Sequence, residues 1–313
     1  MTKKIVVTDP RQKELISQLR ERAPGVTFVP VEEESLPEEI VDAEVLLGRI
    51  SGETLARADN LRWVHVNSAG VDYLPLDQLR EKGVMLTNGR GIHADTIGDH
   101  VMAFALAHSR EILVFHDRKI RGVWDRECSV RELRGLTMGI VGTGGIGAGV
   151  AKRARSFGMK ILGVNRSGQP VEGFDRVTSF EHLDRVIEAA DYLVLACPLT
   201  GETRGLIGPE RLRLLGPGGF LINIARGEVV DEAALADALT RGDIAGAGLD
   251  VFEEEPLPED STLWKIDSVM ITPHVAGRQS GAAQIGADRF LRNLESYLEG
   301  RGMDWLVDYD KGY

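Results

Sequence analysis

The chain has 313 residues, 43% hydrophobic and 27% charged, which suits about two soluble globular domains. Its 37 Lys and Arg against 48 Asp and Glu leave a formal net charge of −11, arguing against general nucleic-acid binding and against an anionic membrane surface, though not against a small anionic ligand held by local arginines. Two cysteines, Cys128 and Cys197, lack CxxC spacing and argue against a disulfide framework or a thiolate zinc site; with no apolar run long enough to span a bilayer, the reading is a reducing, cytoplasmic setting.

Ile5 to Thr8 is a β-branched run ending at Asp9-Pro10, too short for a signal-peptide core. Residues 11–22 carry Leu15, Ile16 and Leu19 on one helical face. Glu32, Glu33 and Glu34 read as a solvated face. Thr27–Val29, Val45–Leu47, Trp63–Val66 and Val84–Leu86 read as strands, the last three stopping at Gly48, at Asn67-Ser68-Ala69-Gly70 and at Asn88-Gly89. Strands alternating with helices predict a parallel sheet, whose ligands bind beyond the carboxyl ends of the strands. Arg49, the Ser68-Ala69-Gly70 loop and Asn88 stand at such ends. Arg49 either meets a second anionic group, such as phosphate, or is a solvated loop arginine. His65 reads as a core or edge histidine.

Residues 92–120 predict one long, mostly apolar helix that connects two domains. His100, His108 and His116 recur along it, without the cysteine or carboxylate spacing of a metal site. Residues 121–135, with Trp124 and many charges, have no clear period and read as an arm that packs on another subunit. A second alternating series then supplies six predicted strands: Met138–Val141, Lys160–Val164, Tyr192–Leu195, Phe220–Ile224, Gly246–Val251 and Val269–Thr272. Residues 279–300 predict a final helix, with Ile285, Phe290, Leu294 and Leu298 on one face, that packs back on the first domain.

The first predicted strand of that second series runs into Gly142-Thr143-Gly144-Gly145-Ile146-Gly147 and then a helix. In this strand–turn–helix context the pattern reads as a dinucleotide-binding turn. Gly142 makes the turn, Gly144 lets a pyrophosphate approach, and Gly147 allows close helix packing, while the helix N-terminus at Gly145 and Ile146 offers N–H groups to the phosphates. The next strand ends at Asn165-Arg166-Ser167, in the slot where NAD-preferring proteins carry a carboxylate for the ribose hydroxyls. The missing acid, with an arginine and a serine to meet a 2′-phosphate, favours NADP over NAD. Arg226, Glu255 and His274 follow the last three predicted strands and fall at the same sheet edge. Together they suit reduction of a 2-keto acid. An arginine fork holds the carboxylate and polarises the keto oxygen, a histidine supplies a proton, and a carboxylate holds that histidine in one tautomer.

Five segments, in order, resemble the D-isomer-specific 2-hydroxyacid dehydrogenase family: residues 136–147, Cys197-Pro-Leu-Thr-Gly-Glu-Thr203, Ile222-Asn-Ile-Ala-Arg-Gly227, residues 248–258 and Thr272-Pro-His-Val-Ala-Gly277. The resemblance implies an α/β fold of two Rossmann-like or flavodoxin-like doubly wound parallel-sheet domains, with an active-site cleft between them. Residues 1–93 and 279–313 would form the substrate-binding domain and residues 94–278 the nicotinamide dinucleotide-binding domain. Arg226, Glu255 and His274 are implied as the catalytic set, Asp250 as the neighbour of the nicotinamide amide, and Ala69 and Gly70 as backbone donors to the substrate carboxylate. Cys197, on the adenine side, Pro198, Thr203 and Ala225 join the cofactor-binding set with Gly142, Gly144, Gly145, Ile146, Gly147, Asn165, Arg166, Ser167, Asp250 and His274. Arg49, Ser68, Ala69, Gly70, Arg226 and His274 form the substrate-binding set, and no metal is expected.

The resemblance also implies a homodimer built through the cofactor domain and its arm. Gly98-Asp99 departs from the Ala-Glu of many members. Glu255 argues against a formate dehydrogenase, and the end at Tyr313 against the regulatory domain of longer phosphoglycerate dehydrogenases. The expected activity is reduction of a small 2-keto acid, glyoxylate or hydroxypyruvate first, to a D-2-hydroxy acid. The alternative is a corepressor-like binding protein that senses nicotinamide cofactor.

Overall fold

Short runs of β-branched and aliphatic residues, several of them closed by a glycine or asparagine, become the strands of two separate parallel sheets. In the computed structural model residues 3–312 are described, and the chain divides into two units, residues 1–92 with 279–313 and residues 93–278.

The first unit holds β1 (Lys3–Val7), β2 (Val26–Pro30), β3 (Val45–Leu47), β4 (Trp63–His65) and β5 (Met85–Thr87), all parallel, in the order β2-β1-β3-β4-β5. Ile5, Val6, Val7, Val45, Leu46 and Leu47 are fully buried, as expected of strands covered on both faces. The helix Ala282–Leu298 covers one face, with Ala287, Phe290 and Leu294 buried and the Phe290 ring stacked on Trp63 at 5.1 Å. Only half of the predicted stripe is buried: Ile285 and Leu298 are exposed. The stripe seated on the sheet is 287, 290 and 294, and position 285 lies well round the helix from it. The predicted helix over 11–22 is two short helices, Pro10–Lys13 and Ile16–Arg22.

The second unit holds β6 (Thr137–Val141), β7 (Lys160–Val164), β8 (Arg176–Thr178), β9 (Tyr192–Leu195), β10 (Phe220–Asn223), β11 (Gly246–Leu249) and β12 (Val269–Ile271), in the order β12-β11-β10-β9-β6-β7-β8. Among the described residues the sheet thus has seven strands, not six. The extra one, β8, is a short, partly exposed edge strand with no apolar run to announce it. Strand order reverses between β6 and β9, the switch point where doubly wound sheets bind ligands.

The long helix predicted over 92–120 is broken. Helices Ala94–Ser109 and Ile112–Ile120 meet at Glu111, whose φ of 52° lies in the left-handed region. The following segment returns to the break: the Arg131 N–H donates to the Ser109 carbonyl at 2.9 Å and the Ser129 N–H to Glu111 Oε1 at 2.9 Å. Ala94–Ser109 packs closely on the helix Gly145–Ser156. A Cβ at Gly149 would lie 2.4 Å from the Ala94 carbonyl oxygen, and one at Gly98 2.8 Å from Arg153 Cδ. Arg153 in turn pairs with Asp99 at 2.5 Å and Asp95 at 3.0 Å, which accounts for the Gly98-Asp99 dipeptide.

Candidate active site

The glycine motif follows β6, and its glycines have different physical duties. Gly142 has φ +100°, and a Cβ there would meet the Ala196 carbonyl oxygen at 2.6 Å. A Cβ at Gly147 would lie 2.0 Å from the Gly142 carbonyl oxygen. Gly144 has open space where its Cβ would be, and no side chain caps the helix that starts at Gly145. Two glycines therefore serve packing, and the third leaves an uncapped helix N-terminus open to an anion. This fits a dinucleotide pyrophosphate, with the N–H groups of Gly145, Ile146 and Gly147 as its donors.

At the end of β7, Asn165 organises its own turn. Its Nδ2 donates to Thr143 Oγ1 at 2.9 Å, and its Oδ1 accepts from the Gly168 N–H at 2.7 Å and from Ser167 Oγ at 3.2 Å. Arg166 is half-exposed, 3.6 Å from Glu202. Cys197 is buried, and burial pushes its thiol up to about 12, which suits a lining residue and not a nucleophile. It is followed by Pro198, whose carbonyl accepts from Thr203 Oγ1 at 2.7 Å; Thr203 also takes the Thr200 N–H at 2.8 Å, so its hydroxyl shapes the loop.

The residues expected to do the acid–base chemistry come from three adjacent strand ends. β10, β11 and β12 are parallel neighbours, so the loops carrying Arg226, Asp250 with Glu255, and His274 leave the same edge. His274 Nδ1 lies 2.7 Å from Glu255 Oε2, and Glu255 Oε1 accepts the Phe252 N–H at 3.1 Å. The carboxylate thus fixes the imidazole with Nε2 outward. Arg226 Nη1 donates to the Ala225 carbonyl at 2.8 Å. Its loop is braced by Asn223, whose Nδ2 donates to the Arg226 carbonyl at 2.9 Å and whose Oδ1 accepts the Ala225 N–H at 3.1 Å. Gly227 presses against the next loop; a Cβ there would lie 1.8 Å from the Phe252 carbonyl carbon.

Asp250 is buried at 2% exposure. Its Oδ1 accepts from Thr272 Oγ1 at 2.6 Å and the Val275 N–H at 2.9 Å, and its Oδ2 accepts the Ala276 N–H at 2.9 Å. A carboxylate has about four lone-pair sites, so one remains for an amide donor such as that of a nicotinamide.

In the first unit, Ser68 Oγ donates to the Gly70 carbonyl at 2.9 Å and lies 2.5 Å from the Tyr73 hydroxyl. Asn88 Nδ2 donates to the Ala69 carbonyl at 2.7 Å, and the Gly89 N–H to the Ser68 carbonyl at 2.8 Å. Among the described residues neither the Ala69 nor the Gly70 N–H donates to a backbone carbonyl. Arg49 is exposed and stacks over the Tyr73 ring at 4.5 Å.

Sequence reasoning missed Asn223, Gly227, Thr272 and Tyr73. Each lies within three residues of one it singled out, but each acts through contacts in space that no spacing encodes. Among the described residues no group of three or more His, Cys, Asp or Glu is placed to hold a metal ion, and no helix is long and apolar enough to cross a membrane.

A sequence profile described as the NAD binding domain of D-isomer specific 2-hydroxyacid dehydrogenases matches residues 102–276. Over 295 residues the chain is 38% identical to a glyoxylate reductase of Pyrococcus horikoshii, covering 88% of each chain. It is similar in structure to a D-isomer specific 2-hydroxyacid dehydrogenase of Xanthobacter autotrophicus in complex with NADPH and MES (TM-score 0.87, 31% identity, 100% of both chains). It is also similar to an NADPH-dependent glyoxylate/hydroxypyruvate reductase of Sinorhizobium meliloti in complex with NADP and sulfate (TM-score 0.88, 27% identity, 100% of both chains). The match spans more than half of the chain and agrees with the geometry at the ends of β6, β10, β11 and β12: the chain belongs to the D-isomer-specific 2-hydroxyacid dehydrogenase family.

Proposed function

We propose that this 2-ketoacid reductase uses NADPH to reduce glyoxylate to glycolate, with hydroxypyruvate, reduced to the D-2-hydroxy acid, as the next candidate. The observation that carries the reading is the His274–Glu255 pair at 2.7 Å, at the sheet edge that also bears the uncapped glycine turn. When bound, the reduced nicotinamide supplies a hydride to the keto carbon. The helix N-terminus at Gly145 to Gly147 would hold the pyrophosphate, Asn165, Arg166 and Ser167 would meet the adenosine ribose, and Asp250 would accept from the carboxamide on its remaining lone pair. Arg226 polarises the keto oxygen; in the first unit, the Ala69 and Gly70 N–H groups are separately proposed as donors to a carboxylate. Glu255 occupies Nδ1 of His274, so the proton leaves from Nε2 to the oxygen that becomes the hydroxyl. Within the first unit, Arg49, held on Tyr73, is a candidate cation for an anionic group.

NADP is preferred because no carboxylate ends β7 to repel a 2′-phosphate, and Arg166 supplies a positive partner once it leaves Glu202. The enzyme acts as a homodimer. A cofactor-sensing corepressor needs no oriented proton donor, and the His274–Glu255 pair gives that alternative no support. The test is the rate of loss of nicotinamide absorbance with glyoxylate, hydroxypyruvate, pyruvate and phenylpyruvate. Turnover with glyoxylate and NADPH is expected, and no turnover across the panel would defeat the proposal.

A further inference from the structure

We propose that His100, on the helix Ala94–Ser109, is a positioning residue that acts through Thr272 and Asp250 on the loop carrying His274; the proposal rests on the reaction assigned above. His100 Nε2 lies 2.9 Å from Thr272 Oγ1 and 3.8 Å from Asp250 Oδ1. Its ring is edge-on to Phe104 at 4.7 Å, and Phe104 rests on Gly248 of β11, where a Cβ would come within 2.7 Å of the ring. The bare strand thus lets the helix approach and sets the imidazole beside Thr272.

Counting protons gives the network its direction. A threonine hydroxyl has one hydrogen, and here it goes to Asp250 Oδ1 at 2.6 Å. The contact from His100 must therefore be an Nε2–H donating to Thr272 Oγ1. Burial holds His100 below the ordinary histidine range despite the pull of the Asp250 charge, so near neutral pH the ring carries one hydrogen, on Nε2. Thr272 begins the loop whose Val275 and Ala276 N–H groups bind the same carboxylate. Within the same loop, just before Val275, the His274 N–H donates to the Asp250 carbonyl at 2.8 Å, with His274 at φ 52°. A non-glycine residue in that region is strained and persists only when its surroundings hold it. The chain from His100 to Asp250 is part of that hold, and it also keeps Oδ1 occupied, so that the remaining lone pair is on Oδ2.

The experiment compares His100→Gln, which keeps a donor, with His100→Leu, which keeps bulk but donates nothing, and with Thr272→Val. Steady-state kinetics with glyoxylate and NADPH are expected to show a kcat loss of about tenfold for His100→Leu and Thr272→Val, and of no more than about twofold for His100→Gln. The glyoxylate KM should stay within about twofold, because Arg226 leaves a different strand end. Nitrogen-15 NMR of the imidazoles, which needs no turnover, should show neutral His100 with its hydrogen on Nε2, and a His274 signal that moves in His100→Leu but not in His100→Gln. A ring hydrogen on Nδ1, or His100→Leu matching His100→Gln in kcat, would overturn the proposal. If the wild-type enzyme reduces no keto acid while the NMR pattern holds, the reaction assignment falls and the positioning role stands.

Discussion

His274 joins two demands at one residue: its side chain meets Glu255 at 2.7 Å, and its backbone sits at φ 52°. Asparagine tolerates that backbone better than alanine does, so His274→Asn separates chemistry from strain. We expect His274→Asn to keep the wild-type Tm and lower kcat by about 10² or more, the size of a general-acid contribution. Arg226→Ala should raise KM and lower kcat together, since in the proposed reaction that side chain serves both bound substrate and developing oxyanion. Wild-type turnover by His274→Asn would remove His274 from the chemistry.

His65 gives a separate prediction about stability. It is fully buried, its Nδ1 is 2.7 Å from Thr87 Oγ1, and burial lowers it from 6.5 to about 4. The folded ring refuses a proton that the unfolded chain accepts, so its contribution is fully present above pH 6.5 and is lost as pH falls toward 4. The shift corresponds to about 3 kcal/mol across that window. Thermal melts between pH 7 and 4.5 should show a shallower fall of Tm in His65→Gln than in the wild type; equal slopes would rule this out.

Among elements, the contact between helices Ala94–Ser109 and Gly145–Ser156 depends on absent side chains. At Gly149 the obstruction to a Cβ is the Ala94 carbonyl oxygen at 2.4 Å, whereas at Gly98 it is chiefly the flexible Arg153. Gly149→Ala should therefore destabilise by about 1–3 kcal/mol, the range for overpacking, and clearly more than Gly98→Ala does. Chemical denaturation of both variants checks the order. The end of β7 is the second element with a definite consequence. Asn165→Asp should shift kcat/KM toward NADH by charge repulsion with a 2′-phosphate, and Arg166→Ala should raise KM for NADPH more than for NADH. A wild-type enzyme better with NADH and indifferent to Arg166→Ala would refute the NADP preference.

For the molecule as a whole, a run of exposed apolar side chains bears on the proposed homodimer. Ile112, Leu113, Val114 and Ile120 are exposed on one short helix, and Val123, Trp124 and Val130 on the segment after it, with Trp124 at 90%. Fully burying one large apolar side chain contributes about 1.5–3 kcal/mol, so a second copy covering this stretch stabilises both chains. Light scattering on a sizing column should give the mass of two chains, and Leu113→Asp with Trp124→Ser the mass of one. A monomeric wild type would exclude the homodimer.

Some of this was legible in the chain because the physics is local. Apolar runs closed by glycine mark parallel strands, and a strand–glycine–helix pattern marks a phosphate-binding turn. Polar residues just past successive strands must share one edge of a parallel sheet, so Arg226, Glu255 and His274 could be named from order alone. Other features needed the tertiary structure. β8 has no apolar run, and only pairing with β7 makes it a strand. The break at Glu111 falls inside a helical pattern and is held by Ser129 and Arg131, which return from later in the chain. Gly227 and Gly149 look like any other glycine until a neighbouring backbone occupies the place of their Cβ. His100 reads as one of three histidines recurring along a helix, and only folding brings it to Thr272, 172 residues later, because hydrogen bonds are decided by distance in space and not along the chain.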